Sequence, residues 1–329
     1  MGRSPLQGAG TASLPGCKGS ALAPTKEGVT MHAYLLVLIG VVMVSYSGPL
    51  VKGALLAGAN PVTVACLRMV FSAAVLLGAG MLFPRKDGTR PLRSLGTLTK
   101  KQWAWSLLAS VCLALHYLTW MTSLNATSTF ASVALVCTQP LFVAALSGWV
   151  LKEPMPRTAR PGAIIALIGA ALIGMNSLTG LSGDIGGDLL ALAGAACMAG
   201  HWLCSRYARR TVEALPYTLL VYVQTGLMLL LISPLCGGVV VTGKALWYIA
   251  GLVIGSTLMG HLIFTVALGN VSATVVSFAL LGEPVGAMLW SMLMFDEIPT
   301  ALLLIGGAVV LLGLAMYSRG AMKSEKDSM

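Results

Sequence analysis

The segment from Phe278 to Trp290 reads FALLGEPVGAMLW, and it places an acid and a proline inside an otherwise apolar run. Placing the charged side chain of Glu283 in hydrocarbon is energetically unfavourable, and Pro284 removes one hydrogen bond from a helix. A membrane protein can accommodate both residues where a helix is interrupted beside a water-filled cavity. The segment therefore predicts an interior position in a membrane protein, with Glu283 turned away from lipid.

The whole chain has the composition of a membrane protein. Of its 329 residues, 57% are hydrophobic and 10% are charged. A helix needs about 20 apolar residues to cross roughly 30 Å of hydrocarbon, and lipid leaves no alternative to helices for such runs. The sequence predicts an all-α polytopic membrane protein with ten transmembrane helices. These spans, numbered 1 to 10, are His32–Val51, Pro61–Phe83, Gln102–Leu124, Thr129–Leu151, Thr158–Asn176, Gly187–Tyr207, Leu215–Leu235, Lys244–Leu268, Ala273–Phe295 and Thr300–Ser318.

The termini and the charges predict the topology. Residues 1–30 are rich in Gly, Ala, Ser and Pro, which predicts a disordered tail, and residues 319–329 form a C-terminal tail. The formal net charge is +10, yet most Lys and Arg residues fall on one side of the predicted membrane, as positive-inside topology requires. This pattern favours a lipid bilayer and not nucleic acid as partner. We expect a multi-pass plasma membrane protein (inner membrane in a Gram-negative bacterium) with both termini cytoplasmic.

An internal repeat divides the chain. Residues 114–173 align without a gap on residues 258–317, which pairs Pro140 with Pro284 and Glu153 with Glu297. The repeats cover residues 31–176 and 177–318, each with five predicted helices. Because five is odd, the second repeat enters the membrane from the opposite side. Inverted repeats with a site near the midplane are typical of secondary transporters.

Several short motifs, in order, resemble one family. They are SGPLVK at Ser47–Lys52, Leu67-Arg68, Gln139-Pro140 within span 4, LCSR at Leu203–Arg206, and Gly282-Glu283-Pro284. From about Met31 to Ser318 the chain resembles the drug/metabolite transporter superfamily, in its EamA-like branch. The resemblance implies ten helices in two inverted halves, a cavity lined chiefly by helices 1, 3, 4, 6, 8 and 9, and alternating access for small polar metabolites or drugs. Tyr46 departs from the Trp of many relatives.

The candidate solute-binding residues are polar or aromatic groups within the predicted spans. Matched helix breaks at Pro140 and Pro284 indicate a binding site, although inherited packing kinks remain an alternative. Glu283 is the clearest candidate and Gln139 is its repeat counterpart; a structural hydrogen bond is the alternative for Glu283. The other candidates, for which packing or a local hydrogen bond is the alternative, are His116, His261, Tyr46 and Trp120.

Other residues favour structural interpretations. Arg68 lies about two turns from the outer end of span 2, which predicts that it snorkels to the interface. Lys52 either anchors span 1 or attracts anionic solutes. Small residues recur along spans 5 and 10, including Gly162, Gly306 and Gly313, which predicts close helix packing and leaves open a homodimer through these helices. The seven cysteines and four histidines show no metal-ligand spacing, and we expect no metal or disulfide.

The sequence therefore favours a secondary active transporter of a small organic metabolite or drug, working as an exporter or exchanger by alternating access. We expect no enzymatic activity and no cofactor, with proton coupling as an open interpretation. A passive channel, a membrane scaffold without transport, and an intramembrane enzyme using His and Glu are the alternatives.

Overall fold

A computed structural model describes residues 26–82, 95–96, 98–150, 155–178, 183–208, 212–260, 263 and 281–327. Residues 1–25 of the predicted tail, His261 and residues 273–280 of span 9 lie outside them. The helices of the described part, numbered in chain order, are α1 (Lys26–Ser45), α2 (Ser47–Leu56), α3 (Pro61–Leu82), α4 (Lys100–Ala126), α5 (Thr129–Val136), α6 (Gln139–Val150), α7 (Arg160–Leu178), α8 (Ile185–Ala208), α9 (Ala214–Ile232), α10 (Gly243–Gly251), a π-helix (Leu252–Gly260), α11 (Glu283–Phe295) and α12 (Ala301–Asp327).

Seven helical segments of the described part are long and apolar enough to cross a membrane. They coincide with predicted spans 1, 2, 3, 5, 6, 7 and 10. The other three predicted spans are interrupted or only partly described. Span 4 is divided between α5 and α6, span 8 begins as α10 and continues as the π-helix, and span 9 is represented by α11. The fold is thus that of a polytopic helical membrane protein.

Helix boundaries follow local sequence signals. At the start of α4, the Thr99 side chain accepts from the Gln102 backbone N–H, and the Gln102 side chain accepts from the Thr99 backbone N–H. Ser128 accepts from the Ala131 N–H in the same way at the start of α5. These caps satisfy backbone donors that a helix leaves free at its first turn. Span 1 carries an interruption that the sequence analysis did not predict, because α1 ends at Ser45 and α2 begins at Ser47.

Helices α7 and α12 pack closely and run antiparallel. Thr158, just before α7, donates to the Gly320 carbonyl near the end of α12 at 2.6 Å, while Asn176 near the end of α7 accepts from Thr300 at the start of α12. A Cβ at Gly169 would lie 2.4 Å from the Val310 nitrogen. The small residues that recur along spans 5 and 10 therefore face each other within one chain and are not available to contact a second copy of the protein. A homodimer would use the outward sides of these helices, and stays a prediction.

Two further pairs of helices that the repeat treats as equivalent also run in opposite directions. Asn60, just before α3, donates to the Gly238 carbonyl beyond the end of α9 at 2.8 Å. The N–H of Thr129, the first residue of α5, donates to Glu297, which follows the end of α11. In each pair, the beginning of one helix therefore lies at the end of its equivalent.

The buried core divides into two clusters. The larger one joins α3, α4 and α9, with Met69, Met121 and Leu229 fully buried, and the smaller one joins α5, α7 and α12. Large apolar side chains also cover the outside of the bundle, such as Leu231, which is 79% exposed. In a bilayer these outward side chains face acyl chains.

Candidate functional site

Two helix breaks begin the candidate site. Helix α5 ends at Val136, a turn follows, and α6 begins at Gln139 with Pro140 in second position. Helix α11 begins at Glu283, again with Pro284 in second position. A proline is tolerated there because the first turn of a helix leaves its N–H groups without intrahelical partners. Each proline therefore lies at the start of a new helix.

The two breaks lie close to one another. Helix α5 packs against α11, and Cys137, two residues before Gln139, packs against the same buried cluster as Leu281, two residues before Glu283. Glu283 also begins α11, where the partial positive charge of a helix N-terminus favours a carboxylate. The breaks thus place an acid, two prolines and the amide of Gln139 in one region of the bundle.

Arg68 lies in the interior and is 5% exposed, so the prediction that it snorkels to the interface is wrong. Its Nε donates to Thr257 Oγ1 of the π-helix at 2.9 Å, and its guanidinium carbon lies 4.8 Å from the centre of the Tyr117 ring. Nη1 has no hydrogen-bond acceptor among the described residues. Arg68 therefore joins α3, α4 and the π-helix around one buried positive charge.

His116 and Trp120 lie side by side on α4. His116 Nδ1 is 2.9 Å from the Gly194 carbonyl of α8, and since a carbonyl only accepts, Nδ1 carries the proton of that bond. The His116 and Trp120 rings are stacked with centroids 5.7 Å apart. Trp120 is 4% exposed, and its Nε1 donates to no acceptor in the described part of the chain. The His116 ring also lies 5.1 Å from the ring of Tyr117, which contacts Arg68.

Tyr46 is not part of the Arg68 cluster. It occupies the turn between α1 and α2 and stacks on Trp290 of α11, with centroids 3.9 Å apart and planes 23° apart. Gly286, one turn before Trp290, is closely packed, because a Cβ there would lie 2.5 Å from the side chain of Ser45. The stacking of Tyr46 on Trp290 therefore connects the turn between α1 and α2 to α11.

An ion pair closes the end of the bundle that is predicted to face outward. Lys52 Nζ contacts Glu297 Oε1, and Glu297 Oε2 accepts from the Thr129 N–H at 3.1 Å. A small pocket lies beside this junction. Its lining includes Ser128, Phe130 and Ser291. The pairing of Lys52 with Glu297 was not predicted from the sequence.

Two main features of this region, the buried position of Arg68 and its bond to Thr257, were not predicted from the sequence. For Arg68 the signal was available, because an ionisable residue within an apolar span is by default a functional candidate. For Thr257 no signal was available, since its bond to Arg68 depends on the π-helix. Within the described residues, no group of three or more His, Cys, Asp or Glu side chains could hold a metal ion.

Three comparisons place the chain among known proteins. The model of the EamA-like transporter family matches residues 31–175 and 185–319. An uncharacterized transporter of Bacillus subtilis (strain 168), YwfM, is 24% identical over 229 residues, which are 68% of this chain and 77% of that protein. One solved crystal structure is similar in fold, with a TM-score of 0.60 and 18% identity over 90% of this chain and 99% of the other. Because the family model matches most of the chain in two segments, the chain belongs to the EamA-like transporter family.

Proposed function

We propose that this chain is a secondary active transporter that moves a small organic solute across the plasma membrane by alternating access. Its family makes it a membrane transporter of the drug/metabolite type. The observation that carries the proposal is that α5 packs antiparallel against α11 beside the proline-marked starts of α6 and α11, in a bundle that also buries the Arg68 cation. Interrupted helices and buried charges are how carriers build a solute site inside a membrane.

The architecture in this proposal is two inverted repeats of five helices, with both termini in the cytoplasm. The three antiparallel pairs support it: α3 with α9, α5 with α11, and α7 with α12. A pseudo-two-fold axis in the membrane plane produces antiparallel contacts between equivalent helices. In this arrangement α5 and α6, together with α11, move against the other helices.

The predicted residues take specific roles in the carrier. Glu283 binds the solute or the coupling proton, and Gln139 donates or accepts a hydrogen bond at the neighbouring break. His116, His261 and Trp120 line the solute path, and Tyr46 couples the break in span 1 to α11 through its stacking on Trp290. Export or exchange is the proposed direction.

The ion pair between Lys52 and Glu297 favours a carrier over a passive channel. It joins α2, the start of α5 and the connection after α11 at one end of the bundle. A carrier closes one end while the other is open, whereas a channel needs a continuous path. A scaffold would need no buried charge between its helices.

Purified protein in liposomes tests the proposal. Uptake of a panel of metabolites and drugs is measured with and without a pH gradient, for the wild type and for Glu283→Gln. We expect saturable uptake that the gradient drives, and loss of this drive in the variant. Glu213→Gln changes an exposed acid just before α9 and serves as the matched control, with wild-type uptake expected.

The outcomes separate the alternatives. Non-saturable flux would identify a channel, and absence of flux for every solute would favour a scaffold. Unchanged gradient-driven uptake in folded Glu283→Gln would remove Glu283 from the mechanism.

A further inference from the structure

The guanidinium of Arg68 is buried with only part of its binding capacity used. A guanidinium has five N–H donors and no acceptor. Nε donates to Thr257 and one face lies against Tyr117, but Nη1 donates to no acceptor among the described residues. Leaving a buried, charged donor without an acceptor is costly, so a donor such as Nη1 is typical of a site that binds a ligand.

No acid of the described part forms a close ion pair with Arg68. The ion pair found within 4.0 Å in that part joins Lys52 and Glu297. Glu283 begins α11 and is not within 4.0 Å of the Arg68 guanidinium. Nη1 of the guanidinium thus remains available to donate a charge-assisted hydrogen bond to an oxyanion.

A second unused donor lies on the neighbouring helix. Trp120 Nε1 is buried and has no acceptor within the described residues. Trp120 is three positions after Tyr117 on α4, so both rings lie on one face of that helix, and Tyr117 contacts Arg68. Two unsatisfied donors of this kind, one of them charged, are complementary to a ligand that supplies acceptors and negative charge.

We propose that Arg68 is the anion-binding residue of the transport site and that the solute is a monocarboxylate. The inference rests on the proposed transport function and names the substrate class of the same site. The carboxylate binds Nη1 of Arg68, while Thr257 and Tyr117 hold the guanidinium in place. Glu283 repels a second negative charge, which disfavours dianions such as phosphate monoesters.

Matched ligand pairs test the proposal in the purified full-length protein. The melting temperature is measured against benzoate and benzamide, nicotinate and nicotinamide, and phenyl phosphate. We expect a concentration-dependent increase with the two carboxylates and not with the amides, because the amides lack the charge. Phenyl phosphate should stabilise less than benzoate.

Substitutions assign the effect to Arg68. Arg68→Gln should weaken carboxylate binding by about tenfold or more, since hydrogen bonds to charged groups are the stronger class. Arg68→Lys keeps the charge but loses the planar fork, so intermediate binding is expected. Thr257→Val frees Nε and should weaken binding several-fold. Lys244→Gln removes an exposed cation from α10 and should bind as the wild type does.

Each outcome decides the proposal. The proposal is supported if carboxylates stabilise the wild type and do not stabilise Arg68→Gln, provided that this variant elutes as folded protein. If Arg68→Gln does not fold, loss of carboxylate stabilisation in Thr257→Val supports the proposal instead. Equal shifts with acids and amides, preference for phenyl phosphate, or no shift with either acid in the wild type overturn it. Saturable transport of neutral solutes without carboxylate binding would overturn the anion site and leave the transport function standing. Carboxylate binding without flux would support the anion site and contradict the transport function.

Discussion

Lys52 and Glu297 form an ion pair although they are 245 positions apart in the chain. Lys52 belongs to α2, and Glu297 lies in the connection between α11 and α12, where it also accepts a hydrogen bond from the Thr129 N–H. The single carboxylate of Glu297 therefore holds the second half of the chain against two helices of the first half. In the proposed carrier this contact must open once in every transport cycle.

Removing the ion pair should favour the state that is open at this end. Lys52→Gln and Glu297→Gln each eliminate an interaction worth about 1 kcal/mol when partly exposed, which changes the ratio of open to closed molecules roughly fivefold. The change can be measured as faster modification of Ser291→Cys, beside this junction, by an impermeant maleimide added from outside. Both side chains are about one-fifth exposed, so solvent weakens the pair only partly.

Exchanging the two charges provides the control. Lys52→Glu combined with Glu297→Lys restores the attraction, although the new lysine cannot accept from the Thr129 N–H. The double variant should be modified more slowly than either Lys52→Glu or Glu297→Lys alone. If the double variant instead shows the combined acceleration of the two single substitutions, the ion pair does not hold this end closed.

The helix breaks should be needed for transport more than for folding. Pro140→Ala and Pro284→Ala each restore a backbone N–H and let α5 continue into α6, or extend the start of α11. We expect uptake into liposomes to fall by about tenfold or more while the melting temperature stays within a few degrees of the wild type. Pro234→Ala, which changes an exposed proline just after α9, is the control. Wild-type uptake in both break variants would show that the prolines only shape packing.

The contact between α7 and α12 should not accept a methyl group. In Gly169→Ala the new Cβ would meet the Val310 backbone nitrogen at 2.4 Å, and backbone on both helices would have to move apart. Such overpacking typically costs about 1 to 3 kcal/mol, which should appear as a lower melting temperature in detergent. Gly78→Ala is the matched control, because nothing lies within 4 Å of its Cβ position in α3. Equal melting temperatures for the two variants would contradict the observed packing.

Native Cys236 reports the orientation. It is exposed in the short helical turn that follows α9, at the end of the bundle that also holds Asn60. With both termini cytoplasmic, an impermeant maleimide should label Cys236 in intact cells, and Cys236→Ser should abolish this labelling. A cysteine at exposed Lys323 of α12 should be labelled only after permeabilisation. The opposite pattern would reverse the proposed topology.

Hydropathy and the repeat predicted much of the fold. Seven of the ten predicted spans coincide with apolar helices because continuous apolar runs leave the backbone only the helical option. The shared position of Pro140 and Pro284 also predicted where α6 and α11 begin. The break at Tyr46 was missed, although Ser47, Gly48 and Pro49 after it are residues that weaken a helix.

The contacts within the candidate site could not be predicted from sequence. Arg68 lies where a side chain can either reach the interface or turn inward, and only the packing of α4 and the π-helix around α3 decides this. The ion pair of Lys52 with Glu297 likewise depends on how the two halves meet. Pairing across such distances in the chain comes from tertiary structure and leaves no local pattern.

Reversible locking of the Lys52 end tests alternating access most directly. Lys52→Cys and Glu297→Cys are combined in a chain whose native cysteines are replaced by alanine, and the two thiols are joined by a short reducible bifunctional cross-linker, because a direct disulfide needs closer Cα atoms than a lysine–glutamate contact requires. We predict that uptake into liposomes stops on cross-linking and returns on reduction, with either single cysteine variant unaffected by the reagent. Undiminished uptake while the two residues are fully cross-linked would contradict a transport cycle in which this end must open.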